Sequence, residues 1–442
     1  MRLEKMILNR LKKKQLMGES STITCSGTSS SASSRSSNSS KASSSSSFFK
    51  CFSSSPPPFS SSDHHHLPPT DDQSSSAGVR RPKAGQGRGR VDEKATIFEN
   101  VQTFTFNQLD MATDRFHPSK RIGEGGFGSV YKGRLEDGTP VAIKVLSAES
   151  RQGDREFMSE LATLSHVTHD NLVHLIGGCV DGPRRMLVYE YMDNGNLAQN
   201  LLDNKTTLLN TWEVRKEIAL GIAAGLAYLH GEIHPRIVHR DIKPTNILLD
   251  LDLRPKISDF GLSKFFPDDD ITHITTRVAG TLGYLAPEYA ISGHLTRKLD
   301  VYSFGVLLLE IVSGKTVVDF DQTLGEQYFL VERAWQMYKS DQMIQLVDPI
   351  MLKDGENSGF EEEAERFLVV ALLCLQQKSS LRPTMSAALK MMNGTNEDGD
   401  VVEIMEPGLI GDFMAVKIGR RQQDKQKSST ATTTTEGAAS VL

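Results

Sequence analysis

Cysteine is scarce in this chain, with four among 442 residues, and Cys25, Cys51, Cys179 and Cys374 include no CxxC spacing. That excludes a disulfide framework and a zinc site of the usual spacing. Cys179 and Cys374 stand in apolar stretches and read as buried thiols. Long hydrophobic runs are missing too. No window reaches about 18 uninterrupted apolar residues, and the longest candidates, around 301–312 and 367–375, have the length of buried core helices, so no membrane span is expected. The opening MRLEKMILNRLKKKQLM lacks the apolar core of a secretory signal, because Glu4, Lys5, Asn9 and Arg10 interrupt it. Arg2 excludes an N-myristoylation signal. The chain is therefore expected to stay inside the cell.

Composition is uneven along the chain. Residues 1–90 hold 14 Lys/Arg against 5 Asp/Glu, so the net charge of −5 is carried wholly by residues 91–442. About half of the residues between 20 and 62 are serine, followed by three prolines at 56–58, three histidines at 64–66 and a Gly/Arg-rich stretch to Arg90. Such a segment buries too little apolar area to offset its ordering entropy, and 18–95 reads as disordered. The three histidines read as linker, since a disordered tract offers a metal no fixed geometry. Residues 394–442, with four threonines at 432–435, read as a mobile tail.

Between them the patterning changes character. Short β-type runs (141–146, 187–191) and one helical stretch (155–164) are followed by mainly helical runs (212–230, 299–312, 361–377). A small β-rich lobe over 116–192 and a larger helical lobe over 195–393 give an α+β, bilobal fold.

Gly123-Glu124-Gly125-Gly126-Phe127-Gly128 fits GxGxxG, which dinucleotide-binding folds also use. There the glycines open a helix, whereas here Ser129-Val130-Tyr131-Lys132, the turn at 136–138 and Val141-Ala142-Ile143-Lys144 come next. Strand, glycine turn and strand form a hairpin that covers phosphates, and glycine lets backbone N–H groups approach them. A lysine such as Lys144, ending a strand on the inner side, needs a counter-charge or a phosphate. Taken alone it would read as a surface lysine with a packed stem. In the helix over 155–164 the apolar stripe is Phe157, Leu161 and Leu164, and Glu160, flanking it, is preferred to Glu156 as partner.

Further on stands His239-Arg240-Asp241-Ile242-Lys243-Pro244-Thr245-Asn246, then Asp259-Phe260-Gly261 and Ala286-Pro287-Glu288. These residue types suit phosphoryl transfer: Asp241 to accept a hydroxyl proton, Asn246 and Asp259 as hard oxygen ligands for Mg2+, with Mn2+ as a substitute, and Lys243 to neutralise the phosphoryl group. Each motif alone is noise, but six in this order are not.

On these motifs residues 116–393 resemble the eukaryotic protein kinases, and FTFNQLDMATDRFHPSKRIGEGGFGSVYKG, NLVHLIGGC, LVYEYMDNGNL and LDVYSFGVLLLEIVSGK are similar to plant receptor-like kinases of the Pelle-related branch. With no span or ectodomain ahead of the domain, the receptor-like cytoplasmic kinases are the nearest type. The resemblance implies an ATP-dependent serine/threonine kinase, with nucleotide contacts from Ile122 through Val130, from Ala142 and from the hinge Glu190 to Met192, and Tyr189 as gatekeeper. It also implies that Asp300 braces the catalytic loop and that Arg382 pairs with Glu288. Lys243 and Thr245 follow the serine/threonine pattern within the loop, although Thr245 replaces a commoner Ala or Ser and has no physical explanation. A non-catalytic scaffold is the alternative, disfavoured because no phosphoryl-transfer residue is missing.

The stretch THITTRVAGT at 272–281 lies within the activation segment that these motifs define. A phosphate on Thr275 or Thr276 could pair with Arg240, with Lys264 and Arg277 as further partners. Thr272 is disfavoured by Asp268, Asp269 and Asp270. Thr281 resembles the family threonine that bonds near the catalytic aspartate and lysine, and its role is read as structural.

In the head, Leu3, Met6, Ile7 and Leu11 at helical spacing beside Arg10, Lys12, Lys13 and Lys14 form a basic amphipathic segment over 1–17. It suits the anionic cytoplasmic face of the plasma membrane, a solvated head or an organelle transit peptide. Cys51, among Phe48, Phe49, Lys50 and Phe52, is a candidate acylation site. Expected partners are Ser/Thr-bearing protein substrates and an upstream receptor kinase, with no nucleic acid.

Overall fold

A computed structural model describes residues 101–125, 128–146, 151–203, 206–266, 273–321, 326–351, 359–395 and 403–408. The head over 1–17, the serine-rich region over 18–95, Cys51, Gly126, Phe127, Asp268 to Asp270 and Thr272 lie outside them.

The smaller lobe is a six-stranded sheet. Its strands are β1 (Gln102–Thr103), β2 (Arg121–Gly125), β3 (Gly128–Arg134), β4 (Pro140–Leu146), β5 (Leu175–Asp181) and β6 (Arg184–Glu190), in the order β1-β5-β6-β4-β3-β2. Only β1 runs parallel to its neighbour. The period of two in β4 separates two faces: Val141 and Ile143 are fully buried on one, Ala142 and Lys144 lie on the other. The segment just ahead of β2 covers the first face. Helix α1 (Phe106–Ala112), opened by a Thr105/Gln108 capping box, places Leu109 beside Phe104, Val141, Ile143, Met186 and Val188 in a small core. A side chain at Gly177 would put its Cβ 2.0 Å from the Gln102 carbonyl oxygen, so β1 requires glycine there. The sequence patterning did not single out this covering strand.

Helix α2 (Arg151–Leu164) buries Phe157, Leu161 and Leu164 and carries both Glu156 and Glu160 inward. The larger lobe is helical: α3 (Leu197–Leu201), α4 (Trp212–Ala227), α5 (Pro287–Ser292), α6 (Lys298–Ser313), α7 (Leu330–Lys339), α8 (Phe360–Cys374) and α9 (Met385–Met392). Helix α6 is apolar nearly all round, as a helix enclosed by others must be, and every residue from Leu299 to Ser313 is buried. Short paired strands β7 (Arg236–Val238), β8 (Ile247–Leu249), β9 (Pro255–Ile257) and β10 (Lys264–Phe266) frame the loop between the lobes. Strand β11 (Ile274–Thr275) pairs with β12 (His294–Leu295).

The expectation of a mobile tail over 394–442 is corrected for 403–408. Ile404, Pro407 and Gly408 are buried, and Pro407 bridges to Gln376. The cause is local: the helix expected to run to 377 ends at Cys374, and the chain beyond it exposes backbone groups that the later segment pairs with. An average over a polar tail conceals so short a docking motif. Among the described residues no helix is long and apolar enough to cross a membrane.

Candidate active site

Three layers of residues meet between the lobes. The first is the glycine hairpin, whose β2 and β3 close at Gly125 opposite Gly128. Gly128 has φ +136°, and a Cβ there would lie 2.0 Å from the Val145 carbonyl oxygen, so no other residue fits. Ile122, Gly123, Glu124 and Gly125 lie along β2, and Ser129 and Val130 along β3, where register sets Val130 opposite Lys144. Ala142 shares the Lys144 face. At the end of β6, Met192 is buried, while the Glu190 carboxylate accepts from the His174 N–H (2.8 Å) and the Lys256 ammonium (3.0 Å). The Glu190 side chain is thereby committed, and its backbone N–H donates to the His174 carbonyl oxygen at 3.1 Å.

The second layer is the Lys144 ammonium, 2.5 Å from Glu160 Oε1 and 2.8 Å from Asp259 Oδ1. Glu160, not Glu156, makes the contact. Glu156 accepts from Gln152 at 2.8 Å instead, and burial raises its pKa. Burial opposes the charge of Lys144, yet the two carboxylates outweigh it and raise its pKa, so it stays protonated. Tyr189 donates its hydroxyl to Glu160 Oε2, joining the gatekeeper position to the ion pair. For Asp259 burial works upward, but Lys144 outweighs it and the pKa is lowered.

The third layer is the loop after β7. Asp300, at the first turn of α6 and fully buried, accepts from the backbone N–H of His239 (2.7 Å) and Arg240 (2.8 Å) and contacts His230 Nε2 (2.9 Å). Burial would raise the Asp300 pKa, and the His230 bond with neighbouring donors lowers it overall. This grip holds Arg240 at φ +75°; Asp259 has φ +66°. Left-handed backbone at non-glycine residues costs about 1–3 kcal/mol each and survives where the surroundings over-determine it.

Asp241 then receives three donors: Thr281 Oγ1 at 2.6 Å on Oδ1, with Lys243 Nζ at 2.7 Å and Asn246 Nδ2 at 3.1 Å on Oδ2. Lys243 also donates to Thr281 Oγ1 at 2.8 Å. Asn246 Nδ2 is committed to Asp241, leaving Oδ1 to coordinate a cation, and Asp259 is a carboxylate held anionic. This hard-oxygen pair fits a divalent metal.

Arg240 is buried and donates to the carbonyls of Leu262 (3.1 Å) and Arg277 (2.9 Å) and to the Tyr289 hydroxyl (2.6 Å). Its Nε is buried without an acceptor among the described residues. The two candidate switch threonines separate here. Thr275 is exposed in β11, whereas Thr276 is half-buried with Oγ1 3.4 Å from the Tyr289 hydroxyl. Lys264 and Arg277 are exposed. Arg382, fully buried, grips Glu288 through two bonds of 2.7 and 2.8 Å.

Sequence reasoning missed Tyr289, which gathers Arg240, Thr276, the Ala279 N–H and the Arg277 carbonyl around one hydroxyl. It also missed Tyr284, whose hydroxyl donates to both oxygens of buried Glu310 at 2.9 and 3.0 Å. A lone glutamate inside the apolar run VLLLEIV was the available signal for the second. Nothing local marked the first.

The protein kinase domain profile matches residues 116–392, more than half of the chain. Among curated proteins the chain is 49% identical over 333 residues to cold-responsive protein kinase 1 of Arabidopsis thaliana, covering 74% of this chain and 83% of that one. It is 51% identical over 311 residues to a probable LRR receptor-like serine/threonine-protein kinase of the same plant, covering 70% of this chain but 29% of that relative. A second such receptor-like kinase is 50% identical over 311 residues, again with 29% of its length covered. The chain thus spans under a third of these receptor-like relatives. The profile match over more than half of the chain, with these relatives, shows the family: the chain belongs to the protein kinase family, as a serine/threonine kinase of the plant receptor-like type.

Proposed function

We infer that this kinase transfers the γ-phosphate of ATP to Ser and Thr hydroxyls of partner proteins and of itself, in signalling downstream of receptor kinases. The observation that carries the chemistry is the ring of Asp241, Thr281 and Lys243, each within 2.8 Å of the next. The substrate oxygen forms its bond to the γ-phosphorus as the bond to the ADP oxygen breaks, and Asp241 takes up the hydroxyl proton. Lys243 faces the charge gathering on the transferred group. Lys144, oriented by Glu160, would hold the α- and β-phosphates, and Gly123 to Gly128 would cover them. Asp259 and Asn246 would hold the divalent metal, read here as Mg2+ with Mn2+ as a substitute, which neutralises phosphate charge when bound.

Arg240 supports a phosphate switch in the activation segment, since its unpaired buried Nε suits an anion. The position of Tyr289 favours Thr276 over Thr275 as the modified residue. For localisation we propose the cytoplasm and, through the basic segment 1–17 and acylation of Cys51, the cytoplasmic face of the plasma membrane. Charge pattern supports that reading, and deleting 1–52 should move the protein from membrane to soluble fractions. Wild type wholly soluble at physiological salt would end it.

Purified protein with labelled ATP and a protein acceptor tests the chemistry. Incorporation into Ser and Thr should disappear in Asp241→Asn and Lys144→Met. Incorporation that persists in both would overturn the assignment.

A further inference from the structure

The segment 403–408 sits where a loose tail has no reason to sit. Gly408 donates its N–H to the Leu375 carbonyl at 3.2 Å, Gln377 donates to the Glu406 carbonyl at 3.4 Å, and Tyr302 donates its hydroxyl to the Gly408 carbonyl at 2.7 Å. Ile404 is 8% exposed against the main core. A Cβ on Gly408 would stand 3.0 Å from Pro287 Cγ, so backbone lies directly against the proline of AlaProGlu.

The other edge of the same three-residue strip is held by Arg382. Its Nε donates to the Gln376 carbonyl at 2.8 Å, while its two terminal nitrogens reach Glu288. Its guanidinium also lies 5.0 Å from the centroid of the Tyr302 ring. Residues 375–377 are thus clamped between the tail and the arginine that anchors the end of the activation segment. Tyr302 touches both sides of this clamp.

We propose that 403–408 is a positioning clip: the surface formed by Leu375 to Gln377, Tyr302 and Pro287 is a docking site for this chain's own C-terminal segment, and its occupation sets the 281–288 platform on which a protein substrate rests. The clip rests on the functional reading only for the role of that platform. Its occupant is the tail of the same molecule, joined to α9 by a short connection, and exchange with a second copy is an outcome of the test.

The variants are truncation after Val402 and, in the full-length chain, Gly408→Val, which opposes Pro287 while leaving the rest of the tail in place. Backbone hydrogen exchange at 286–292 should accelerate in both. KM for a protein substrate should rise about fivefold, of the order expected for losing one or two net hydrogen bonds, with KM for ATP unchanged. A synthetic peptide of residues 403–412 should restore the truncated enzyme, and full-length activity per molecule should not change on dilution. Unaltered exchange and unaltered substrate KM in the truncated chain would overturn the proposal, and activity lost on dilution would overturn the same-chain occupant. Repeating the exchange measurement in Asp241→Asn, with and without the tail, reads the clip in a protein whose phosphoryl transfer is removed, so the two readings fail separately.

Discussion

Thr281 gives its hydroxyl proton to Asp241 at 2.6 Å and takes one from Lys243 at 2.8 Å, so a residue 40 positions downstream of Asp241 closes the proposed catalytic ring. Removing the hydroxyl leaves the Asp241 carboxylate held through Oδ2 alone, by Lys243 and Asn246. Thr281→Ala is expected to lower the rate of phosphate transfer by about 100-fold, as misplacement of a reacting group by an ångström does. Thr281→Ser, which keeps the oxygen, should retain most of it. Initial rates with a saturating protein acceptor check this, and equal activity in both variants would refute it.

Thr276 shares the Tyr289 hydroxyl with Arg240, and Thr275 does not. A phosphate on Thr276 could form one or more charge-assisted bonds to Arg240. Thr276→Ala should therefore cost about tenfold in rate while leaving a basal level, and Thr275→Ala about twofold or less. Rates measured alongside mass spectrometry of the segment decide it; the reverse order would assign the switch to Thr275.

Burial raises the Glu310 pKa to about 8, despite the bonds from Tyr284 and the Val317 N–H. The sign comes from proton binding. The folded state keeps a proton that the unfolded chain releases above about 4.5, so this group's stabilisation is full below that pH and is lost progressively up to about 8. Glu310→Gln, which cannot ionise, should remove that component. The melting-temperature difference, wild type minus variant, should fall as pH rises from 5 to 8, and a constant difference would show that Glu310 is ionised in the folded protein throughout.

Arg382 serves Glu288 and the carbonyls of Gln376 and Lys298 from a fully buried position. Arg382→Ala strands the carboxylate and should cost about 3–5 kcal/mol by chemical denaturation. Arg382→Lys, a point charge in place of a planar fork, should recover less than half of the loss.

The bilobal fold and the contact of Lys144 with Glu160 were legible because both rest on periodicity. A strand alternates Ala142 and Lys144 against Val141 and Ile143, and a helical stripe distinguishes Glu160 from Glu156. Contacts between side chains far apart in sequence were legible only where the family resemblance implied them, as with Glu288 and Arg382. Tyr284 with Glu310, and Tyr289 with Arg240, carry no such marks. Their pairing depends on how α6 and the platform pack, and a one-dimensional pattern does not record packing. The docked tail escaped for another reason. Six residues that use mostly backbone bonds leave almost no trace in composition.

One face of the small-lobe sheet is closed by Phe104 and Leu109, and on the other Leu146, Leu187 and Tyr189 pack with Phe157 and Leu161 of α2 beside Ala142 and Lys144. The first side thus serves cohesion, whereas the second joins cohesion to the ion pair of Lys144 and Glu160. A substitution under α1 therefore reaches Lys144 only through the strands themselves, and the stiffness of the lobe can be altered there without touching the charged side.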